Sequence, residues 1–323
     1  MSDALKDNRN ASNPLLSIII PCFNSEQYIF EALNSTLQVN LISIELIIIN
    51  DGSTDNTVEQ IENFISLNSN QLNIKLFHQT NQGVSAARNL GIKNANGIYI
   101  GFLDADDIFL NGFDSLIAPI IKDKDLDIIE FGFKQFYDDE NIGEITHHPL
   151  YKYKGGYQIT NIIDDIHAKT VWYSPIRIYK RALWEGIKYP LKVKFSEDSM
   201  TLPKVFQAAT SIFYINKPLY GYRQNPQSAS SNHSVKHLSD LIDFYWSIDQ
   251  KDRGSRISKI RLARGISFFA HELKMVDSSY LEIRKDISSM SIGFKLCKKL
   301  LLPDLFYFLL PKIYDLMNQY RLN

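Results

Sequence analysis

From residue 16 to residue 57 the chain reads LSIIIPCFNSEQYIFEALNSTLQVNLISIELIIINDGSTDNT. Two short runs in it, SIII and ELIII, are apolar at successive positions, and an amphipathic stretch follows Ser25 between them. Continuous apolar runs are typical of strands that are covered on both faces, as in a parallel sheet. The order strand, helix, strand therefore predicts parallel strands joined by a crossover helix.

The same alternation continues to about residue 136. We predict strands over residues 17–21, 45–50, 74–78, 97–103 and 127–133, and helices after Ser25, Asp55 and Gly83. The fold class is therefore α/β, with a doubly wound, mostly parallel sheet flanked by helices.

The pattern changes after residue 136. Residues 137–232 are irregular and rich in aromatic residues, with one clear helix that starts near Glu197, and we expect them to form a pocket wall over the sheet edge. Residues 233–323 predict a helical C-terminal region, and residues 1–15 are a polar N-terminal segment. The segment QNPQSASSNHS, residues 224–234, has the residue types of a linker or of an ordered active-site loop.

The composition bounds the class of protein. The chain has 323 residues, 45% of them hydrophobic and 22% charged, which excludes a disordered or collagen-like chain. Its two cysteines, Cys22 and Cys297, are too few for a disulfide framework or a zinc cluster and indicate free thiols in a reducing compartment. The N-terminus lacks the residue order of a secretory signal, so we expect a cytoplasmic protein.

Positive charge is concentrated at the C-terminal end, where residues 251–323 contain 14 basic and 7 acidic residues. The apolar run LLLPDLFYFLL is interrupted by Pro303 and Asp304 and is shorter than the roughly 20 residues of a membrane span. Residues 291–320 mix lysines with Leu, Phe and Tyr. They predict either peripheral contact with an anionic membrane surface or a helical hairpin that packs on the catalytic half or forms a homodimer.

Polar residues follow three of the predicted strands directly. They are PCFN at residues 21–24, NDGS at 50–53 and DADD at 104–107. In an open α/β sheet, ligands bind beyond the carboxyl ends of the strands, so these side chains are expected at one rim. Helix capping by Asn, Asp and Ser is the alternative at each position.

The run FLDADD carries the clearest chemistry. In an extended segment Asp104 and Asp106 point the same way, while Ala105 turns into the protein. Two such charges are costly together unless a cation compensates them, and carboxylate oxygens suit Mg²⁺ or Mn²⁺. The sequence predicts a divalent metal with a diphosphate here, against the alternative of a surface turn.

The common phosphate-binding motifs are absent from the sequence. No G-x-G-x-x-G follows the first strand and no G-x-x-x-x-G-K-[ST] occurs, which argues against dinucleotide oxidoreductases and P-loop NTPases. Instead NQGVSAARN, residues 81–89, opens a helix. Gly83 relieves crowding at its start, and Arg88 is close enough to reach a phosphate or a carboxylate, unless it is a surface arginine.

The segments IIIPCFNSEQYI, IIINDGSTDNT, NQGVSAARNLGI and FLDADD, in this order and spacing, resemble the inverting nucleotide-sugar glycosyltransferases of family 2, which have the Rossmann-like GT-A fold. The resemblance covers about residues 16–225. It implies a catalytic domain over residues 16–232, with a nucleotide-binding half at 16–136 and an acceptor-binding half at 137–232.

The resemblance also implies the contacts of a nucleotide-sugar. Its predicted binding residues are Pro21, Phe23, Asn24, Glu26, Asp51, Gly83, Arg88, Asp104, Ala105 and Arg223, with Asp106 and Asp104 as metal ligands. Many members have Asp-Asp-Gly-Ser where this chain has Asn50-Asp51-Gly52-Ser53. We therefore assign base recognition to Asp51 and a structural role to Asn50.

An inverting transfer needs a general base for the acceptor hydroxyl. The family supplies it from a Glu-Asp pair, and KFSEDSMTLPKVF matches with Glu197 and Asp198. We predict Asp198 as the base and Glu197 as its orienting or acceptor-binding neighbour. Two acids that stabilise a helix N-terminus are the alternative.

Further candidates lie downstream. Tyr222-Arg223-Gln224 and Ser228 resemble the family's basic element that closes on the diphosphate, where Arg223 would neutralise charge on the leaving group. His233 or His237 would contribute or be surface residues. Trp172, Tyr173 and Tyr179 would stack on sugars or belong to the core. Ser174-Pro175-Ile176-Arg177 stands where family members often have an Asn-Lys pair.

The sequence thus predicts a metal-dependent inverting glycosyltransferase. It would move a hexose or N-acetylhexosamine from a UDP-sugar to a glycan or lipid-linked glycan in bacterial surface polysaccharide synthesis (O-antigen, capsule or lipooligosaccharide), without a nucleic acid partner. A sugar nucleotidyltransferase is one alternative, although it needs a Gly-rich loop after the first strand. A catalytically silent nucleotide-sugar-binding subunit is the other.

Overall fold

The structure is a computed structural model, and it describes residues 14–137, 142–147, 153–191, 193, 196–224, 235–248, 258, 259, 262 and 266. Several sequence predictions therefore lie outside the described residues. They are those for residues 1–13, for residues 225–234 with Ser228 and His233, for Cys297 and for the membrane-contact segment 291–320.

Ten strands and seven helices make up this part of the chain. The strands are β1 Leu16–Cys22, β2 Ile44–Asn50, β3 Asn73–His78, β4 Tyr99–Phe102, β5 Ile108–Phe109, β6 Ile128–Phe136, β7 Ile142–His147, β8 Gly155–Gln158, β9 Arg177–Lys180 and β10 Ser211–Arg223. The helices are α1 Ile29–Ser35, α2 Thr57–Asn68, α3 Val84–Asn94, α4 Phe113–Asp123, α5 Ile163–Lys169, α6 Glu197–Ala208 and α7 Val235–Ser247.

All ten strands form one mixed sheet. Its main order is β3-β2-β1-β4-β9-β6-β10-β5, with β7 beside β6 and β8 beside β10. The strands β3, β2, β1 and β4 run parallel, as do β6 and β10. The predicted α/β class with a mostly parallel sheet flanked by helices is confirmed, and each of the five predicted strands is present within about three residues of its expected ends.

Strand β9 is the feature that the sequence did not predict. It comes from the region expected to be irregular, yet it lies between β4 and β6 and is antiparallel to both. Because β9 is antiparallel to β4, the segment just before β9 lies at the carboxyl edge of β4, next to residues 104–107.

The sheet is covered on both faces, as its continuous apolar strands indicate. Ile18 and Ile20 of β1 enter a core with helices α1, α2 and α4, while Ile19 enters a second core with α3 and α6. Successive side chains of a strand point to opposite faces, so β1 anchors both layers.

Helix α3 lies very close to β1. A Cβ atom added to Gly91 would stand 2.3 Å from Ile19 Cγ2, which is shorter than any real contact of that kind. This close approach fixes the position of Arg88, which precedes Gly91 by about one helical turn.

Helix α7 is the described part of the helical region predicted for residues 233–323, and most of that region lies outside the described residues. Within the described part of the chain, the structure contains no helix with the length and apolar character needed to cross a membrane.

Candidate functional site

The loops after β1 and β2 are fastened to each other at the carboxyl edge of the sheet. The Asn24 backbone N–H donates to Ser53 Oγ at 3.0 Å, and Asn24 Oδ1 accepts from the Thr54 backbone N–H at 2.9 Å. Glu26 Oε2 accepts from the Asn56 backbone N–H at 2.9 Å. Asn24 has a φ of 47°, a left-handed conformation that asparagine tolerates better than most residues. The structure thus brings the predicted residues Asn24 and Glu26 to one rim, as parts of its framework.

Phe23 and Pro21 differ in exposure. Pro21 is buried within β1, whereas 46% of Phe23 is exposed. A large exposed ring on a site rim offers a flat surface for stacking.

Asp51 holds the loop that opens α3. Its Oδ1 accepts from Gln79 Nε2 at 2.7 Å and from the Gln82 backbone N–H at 2.8 Å, and its Oδ2 accepts from the Gly83 backbone N–H at 2.7 Å. Gly83 has a φ of 88°, which favours glycine at the helix start. Base recognition by Asp51 stays a prediction, because the structure shows this carboxylate organising the loop.

Asn50 makes two contacts within the same rim. Its Oδ1 accepts from the Ser53 backbone N–H at 3.0 Å, and its Nδ2 lies 3.2 Å from His78 Nδ1. These bonds hold the turn after β2 and agree with a structural role.

The acidic residues after β4 have different surroundings. Asp107 is buried, and its carboxylate accepts from the hydroxyls of Tyr173 and Tyr220 at 2.7 Å each and from the Arg223 backbone N–H at 2.8 Å. Asp104 is partly exposed and accepts from Arg88 Nη2 at 3.0 Å and from the Tyr173 hydroxyl at 3.2 Å. Asp107 is therefore an internal anchor, and Asp104 faces the site.

Asp106 accepts no hydrogen bond from another side chain among the residues that the structure describes. Burial and the charge of Asp104 raise the pKa of its carboxyl group to about 6. The extended geometry predicted for this run is wrong, because residues 105 and 106 form a turn in which the Asp107 backbone N–H donates to the Asp104 carbonyl at 3.1 Å. Ala105 is buried as expected, and the turn keeps Asp104 close enough to act on the pKa of Asp106.

The fit to a divalent cation follows from this chemistry. Within the described ranges, no group of three or more His, Cys, Asp or Glu side chains is arranged to hold a metal ion. Among the residues that the structure describes, this edge offers two carboxylates, Asp104 and Asp106, and no side-chain donor of that part of the chain competes for the second. Mg²⁺ and Mn²⁺ commonly keep several water or phosphate oxygens, so two protein ligands suit them.

Arg88 connects this edge to the acid pair on α6. The guanidinium is buried and lies 2.6 Å from Glu197 Oε1, 3.0 Å from Asp104 Oδ1 and 3.7 Å from Asp198 Oδ1. Burial opposes its charge, but these three carboxylates raise the pKa of Arg88 well above its usual value. The surface alternative for Arg88 is therefore wrong.

Asp198 lies in the first turn of α6 and is buried. Its Oδ2 accepts from the Ser174 backbone N–H at 3.0 Å, and its Oδ1 accepts from the Ser174 hydroxyl. Burial raises the pKa of Asp198 to about 6, with Glu197 acting in the same direction and Arg88 opposing. A carboxylate with a raised pKa, in contact with a fixed cation, matches the chemistry of a general base.

Arg223 ends β10 beside the acidic residues. Its Nε donates to the Asp106 carbonyl at 2.7 Å and its Nη2 to Glu31 Oε2 at 2.5 Å. The rings of Tyr28 and Phe136 lie 4.8 and 4.4 Å from its guanidinium carbon. The structure places Arg223 at the predicted edge, where it is already paired with Glu31, a residue that sequence reasoning missed.

The three aromatic candidates have different surroundings. Tyr179 is fully buried against Phe102 and Trp184, so it belongs to the core and the sugar-stacking alternative is wrong for it. Trp172 packs against Phe206 with ring centroids 5.3 Å apart. Tyr173 contacts the acidic residues through its hydroxyl. His237 is buried in α7, so the surface alternative is wrong for it.

Sequence reasoning also missed Tyr189 and the role of Ser174. Ser174 Oγ lies 2.5 Å from the Tyr189 hydroxyl, and the ring of Tyr189 lies 5.5 Å from the Arg88 guanidinium carbon. Neither residue belongs to a recognisable motif. The only signal was the position of Ser174 just before a short β-branched and aromatic run.

A mixed α/β sheet of this order, with paired carboxylates at its carboxyl edge and an acid pair opposite, defines a glycosyltransferase of the GT-A class. The family model of glycosyl transferase family 2 matches residues 17–186, so the chain belongs to that family and is an enzyme.

Individual proteins agree with this assignment. The uncharacterized glycosyltransferase EpsJ of Bacillus subtilis is 31% identical over 243 residues, which are 72% of this chain and 70% of EpsJ. The minor teichoic acid biosynthesis protein GgaA of B. subtilis is 29% identical over 238 residues, 72% of this chain and 50% of GgaA. S. aureus TarS 1–349, solved in complex with UDP-GlcNAc, has the same fold, with a TM-score of 0.65, 24% identity and coverage of 84% of this chain and 80% of TarS 1–349.

Proposed function

We propose that this enzyme transfers a hexose or N-acetylhexosamine from a UDP-sugar to a glycan or lipid-linked glycan acceptor, with inversion at the anomeric carbon. The role would be in bacterial surface polysaccharide synthesis, such as that of an O-antigen, a capsule or a lipooligosaccharide. Two similarities support the proposal: a relative named for teichoic acid biosynthesis and a structural neighbour solved with UDP-GlcNAc.

The observation that carries the proposal is the position of Arg88. One buried guanidinium contacts Asp104 at the nucleotide edge and the Glu197–Asp198 pair on α6. It therefore fixes the separation between the edge that would hold the diphosphate and the base that would receive the acceptor proton. A fixed separation of this kind favours a single displacement between two oriented substrates.

Asp198 is the base in this scheme. The acceptor oxygen attacks the anomeric carbon, its proton passes to Asp198, and the bond from that carbon to the UDP oxygen breaks on the opposite side. With a pKa raised to about 6, Asp198 is mostly ionised at neutral pH and still basic enough to take a proton. Glu197, bonded to Arg88, would orient the pair or contact the acceptor.

The nucleotide would lie across the rim of β1, β2 and α3. The exposed ring of Phe23 would stack on the base, and Pro21, Asn24, Glu26, Asp51 and Gly83 would shape the pocket for base and ribose. At the diphosphate end, Asp104, Ala105 and Arg223 would form the wall. Arg223 would reach the leaving group only if its pairing with Glu31 were exchanged for a phosphate oxygen.

Asp104 and Asp106 would hold a Mn²⁺ or Mg²⁺ ion. Such an ion would neutralise charge on the departing diphosphate, which is the chemistry divalent metals supply in phosphate sites. The chain's own contribution would be to hold these two carboxylates near each other on the turn that follows β4. The cost of keeping Asp106 ionised in a half-buried position beside Asp104 favours a bound cation there.

Two substitutions test the proposal against a matched control. We expect Asp198→Asn to lower sugar transfer by about 10²–10⁴-fold while UDP still binds, since general base catalysis contributes about that much. Asp106→Asn should weaken binding of UDP in the presence of Mn²⁺. Glu59→Gln, an exposed acid on α2, is the control and should leave both unchanged.

The measurement is UDP release from UDP-GlcNAc, UDP-GalNAc, UDP-glucose and UDP-galactose, with Mn²⁺ or Mg²⁺ and a panel of bacterial oligosaccharides. If Asp198→Asn and Asp106→Asn released UDP at the wild-type rate, the proposed roles would be wrong. Calorimetric binding of UDP without turnover of any donor would identify a silent binding subunit instead.

The cellular location is a separate part of the proposal. We propose a cytoplasmic enzyme that contacts the inner face of the cell membrane through residues 291–320, which lie outside the described residues. Flotation of the full chain with phosphatidylglycerol vesicles, but not with phosphatidylcholine vesicles, is the expected result. Loss of flotation in a variant with Lys295, Lys298 and Lys299 changed to Glu would assign the contact. Equal flotation of this variant, or none by the wild type, would favour packing or a homodimer.

A further inference from the structure

A chain of two hydroxyl groups ends on the carboxylate of Asp198. The Tyr189 hydroxyl lies 2.5 Å from Ser174 Oγ, and Ser174 Oγ contacts Asp198 Oδ1. Ser174 also donates its backbone N–H to Asp198 Oδ2 at 3.0 Å. One residue therefore contacts both oxygens of this carboxylate.

The direction of these hydrogen bonds follows from the chemistry of their ends. An ionised carboxylate only accepts, so the Ser174 hydroxyl must donate to Asp198. Its oxygen then accepts from Tyr189, whose pKa burial and the charge of Asp198 raise well above the usual value, so that its proton stays in place. The order of donation is Tyr189 to Ser174 to Asp198.

The backbone that carries Ser174 is held rigidly. Arg177 is fully buried, paired with Glu130 at 2.7 Å, and donates to the carbonyls of Tyr173 at 2.9 Å and Val171 at 2.6 Å. Ser174 itself is fully buried at the start of a 3₁₀ turn. A donor fixed in this way cannot follow the carboxylate if Asp198 rotates, so it selects one orientation of the carboxylate.

We propose that Ser174 and Tyr189 are positioning residues that hold the Asp198 carboxylate in the orientation needed to receive the acceptor proton. The inference rests on the proposed function, because it gives these residues a role only if Asp198 is the base. The inference adds a hydroxyl relay, by which we mean the Tyr189 and Ser174 hydroxyls in series. The relay occupies Oδ1 of Asp198 and leaves the second lone pair of Oδ2 directed away from Ser174.

The same hydrogen bonds act on the ionisation of Asp198. The charged and titratable groups around it are Arg88 on α3, Glu197 on its own helix, Tyr179 on β9 and Tyr189. Ser174 stabilises the ionised form, because both of its hydrogen bonds are donated to the carboxylate. Removing its hydroxyl should therefore raise the pH above which the base is ionised.

The test compares pH profiles of kcat for Ser174→Ala and Tyr189→Phe with that of the wild type, using the donor that the wild-type enzyme turns over. We expect the acid limb of Ser174→Ala to move up by about one pH unit, with kcat reduced by about tenfold and KM for the donor unchanged. Tyr189→Phe keeps the ring over Arg88 and removes only the distal donor, so its limb should move in the same direction by less.

Tyr179→Phe is the matched control. Its hydroxyl contacts the carbonyl of Ser174, at 3.4 Å, and not the serine hydroxyl. This variant should keep the wild-type acid limb. UDP binding measured by calorimetry in all three variants checks that the nucleotide site is intact.

The outcomes separate this inference from the proposed function. If Asp198→Asn were fully active, the proposed function would fail first. If Asp198→Asn were inactive but Ser174→Ala and Tyr189→Phe both kept the wild-type acid limb, the hydroxyl relay alone would be refuted. If Ser174→Ala failed to fold, Tyr189→Phe would decide, since it leaves Ser174 in place.

Discussion

Asp106 and Asp107 are adjacent in the chain and have opposite environments. Three donors converge on the carboxylate of Asp107, whereas no side-chain donor within the described ranges reaches that of Asp106. The two residues belong to a turn that is closed by the hydrogen bond from the Asp107 backbone N–H to the Asp104 carbonyl at 3.1 Å, and this turn separates their side chains. Asp107 is therefore turned toward Tyr173, Tyr220 and β10, and Asp106 toward the site.

This contrast predicts opposite effects of the same substitution. Asp107→Ala takes the acceptor from the Tyr220 hydroxyl and the Arg223 backbone N–H and leaves the Tyr173 hydroxyl only its longer contact with Asp104, so it should lower the free energy of unfolding by about 3 kcal/mol. Asp106→Ala breaks no side-chain hydrogen bond and should change it by about 0.5 kcal/mol or less. Urea unfolding of both variants without metal measures this difference, and equal losses would contradict it.

Phe23 carries a prediction about nucleotide affinity. Its ring is 46% exposed on the rim, so Phe23→Ala should change stability little. If the ring stacks on the base, the variant should bind UDP about tenfold more weakly, since stacking on an aromatic side chain is worth about 1–3 kcal/mol per base. Leu67→Ala, on α2 and 64% exposed, is the control for calorimetry. Unchanged UDP affinity in Phe23→Ala would place the base elsewhere.

At the scale of single residues, the motif residues of the site were predictable from the sequence, whereas the residues that contact them were not. Asp104, Arg88 and Asp198 stand in ordered motifs whose chemistry can be argued from residue type. Tyr189 and Glu31 carry no motif, and their contacts to Ser174 and Arg223 depend on packing of segments 15 and 192 residues apart. Only the folded chain defines such contacts.

Among the elements, the apolar parallel strands were the easiest to predict and β9 the hardest. Its four residues, RIYK, place a charged side chain in the middle of the sheet, where the buried Arg177–Glu130 pair compensates it. Such a pair conceals the apolar pattern by which a central strand is recognised. The same pair holds the Tyr173–Ser174 backbone, so the unpredicted strand is also the one that supports Asp198.

The packing of α3 on β1 gives a prediction at the scale of elements. Alanine is the better helix former by about 1 kcal/mol, yet Gly91→Ala should destabilise the protein, because its Cβ would stand 2.3 Å from Ile19 Cγ2. Overpacking costs about 1–3 kcal/mol, which exceeds the gain in propensity. Gly101→Ala, whose Cβ would have ordinary contacts at 3.7 Å, is the control.

A double-mutant cycle identifies the cause. Ile19→Ala alone should cost about 2–5 kcal/mol, and the combination with Gly91→Ala should cost about 1 kcal/mol less than the sum. Thermal unfolding of the four proteins provides the numbers. Strict additivity would show that the cost of Gly91→Ala does not arise at Ile19.

At the scale of the whole molecule, the candidate site lies at the carboxyl edge of the sheet, and the buried carboxylate of Glu45 lies at the opposite edge. Glu45 stands at the amino end of β2 and accepts from Ser17 of β1, Lys75 of β3 and the Asn96 backbone N–H before β4, each at 2.6 Å. It therefore joins four chain segments that determine the order of the parallel strands. Its distance from the carboxyl edge allows stability to be changed there without altering the site.

Glu45 gives the molecule a pH-dependent stability. Burial opposes its ionisation, but the hydrogen bonds from Lys75, Ser17 and Asn96 together lower its pKa below the usual 4.5. A carboxyl group with a lowered pKa in the folded state stabilises the protein above its unfolded pKa, and this contribution is lost as the pH falls through the folded pKa. We therefore expect Glu45→Gln to lower the free energy of unfolding at pH 7 by about 1–3 kcal/mol, because charged hydrogen bonds are replaced by neutral ones.

Urea unfolding at about pH 7 and about pH 3.5 checks this expectation. The difference between the wild type and Glu45→Gln should shrink at the lower pH, since below the unfolded value of 4.5 the unfolded chain binds the proton and the advantage of the folded carboxylate decreases. Glu59→Gln, which removes an exposed acid, should show little difference at either pH. UDP release per folded molecule should be the same in Glu45→Gln as in the wild type. A stability difference that did not depend on pH would mean that Glu45 acts through packing and not through its charge.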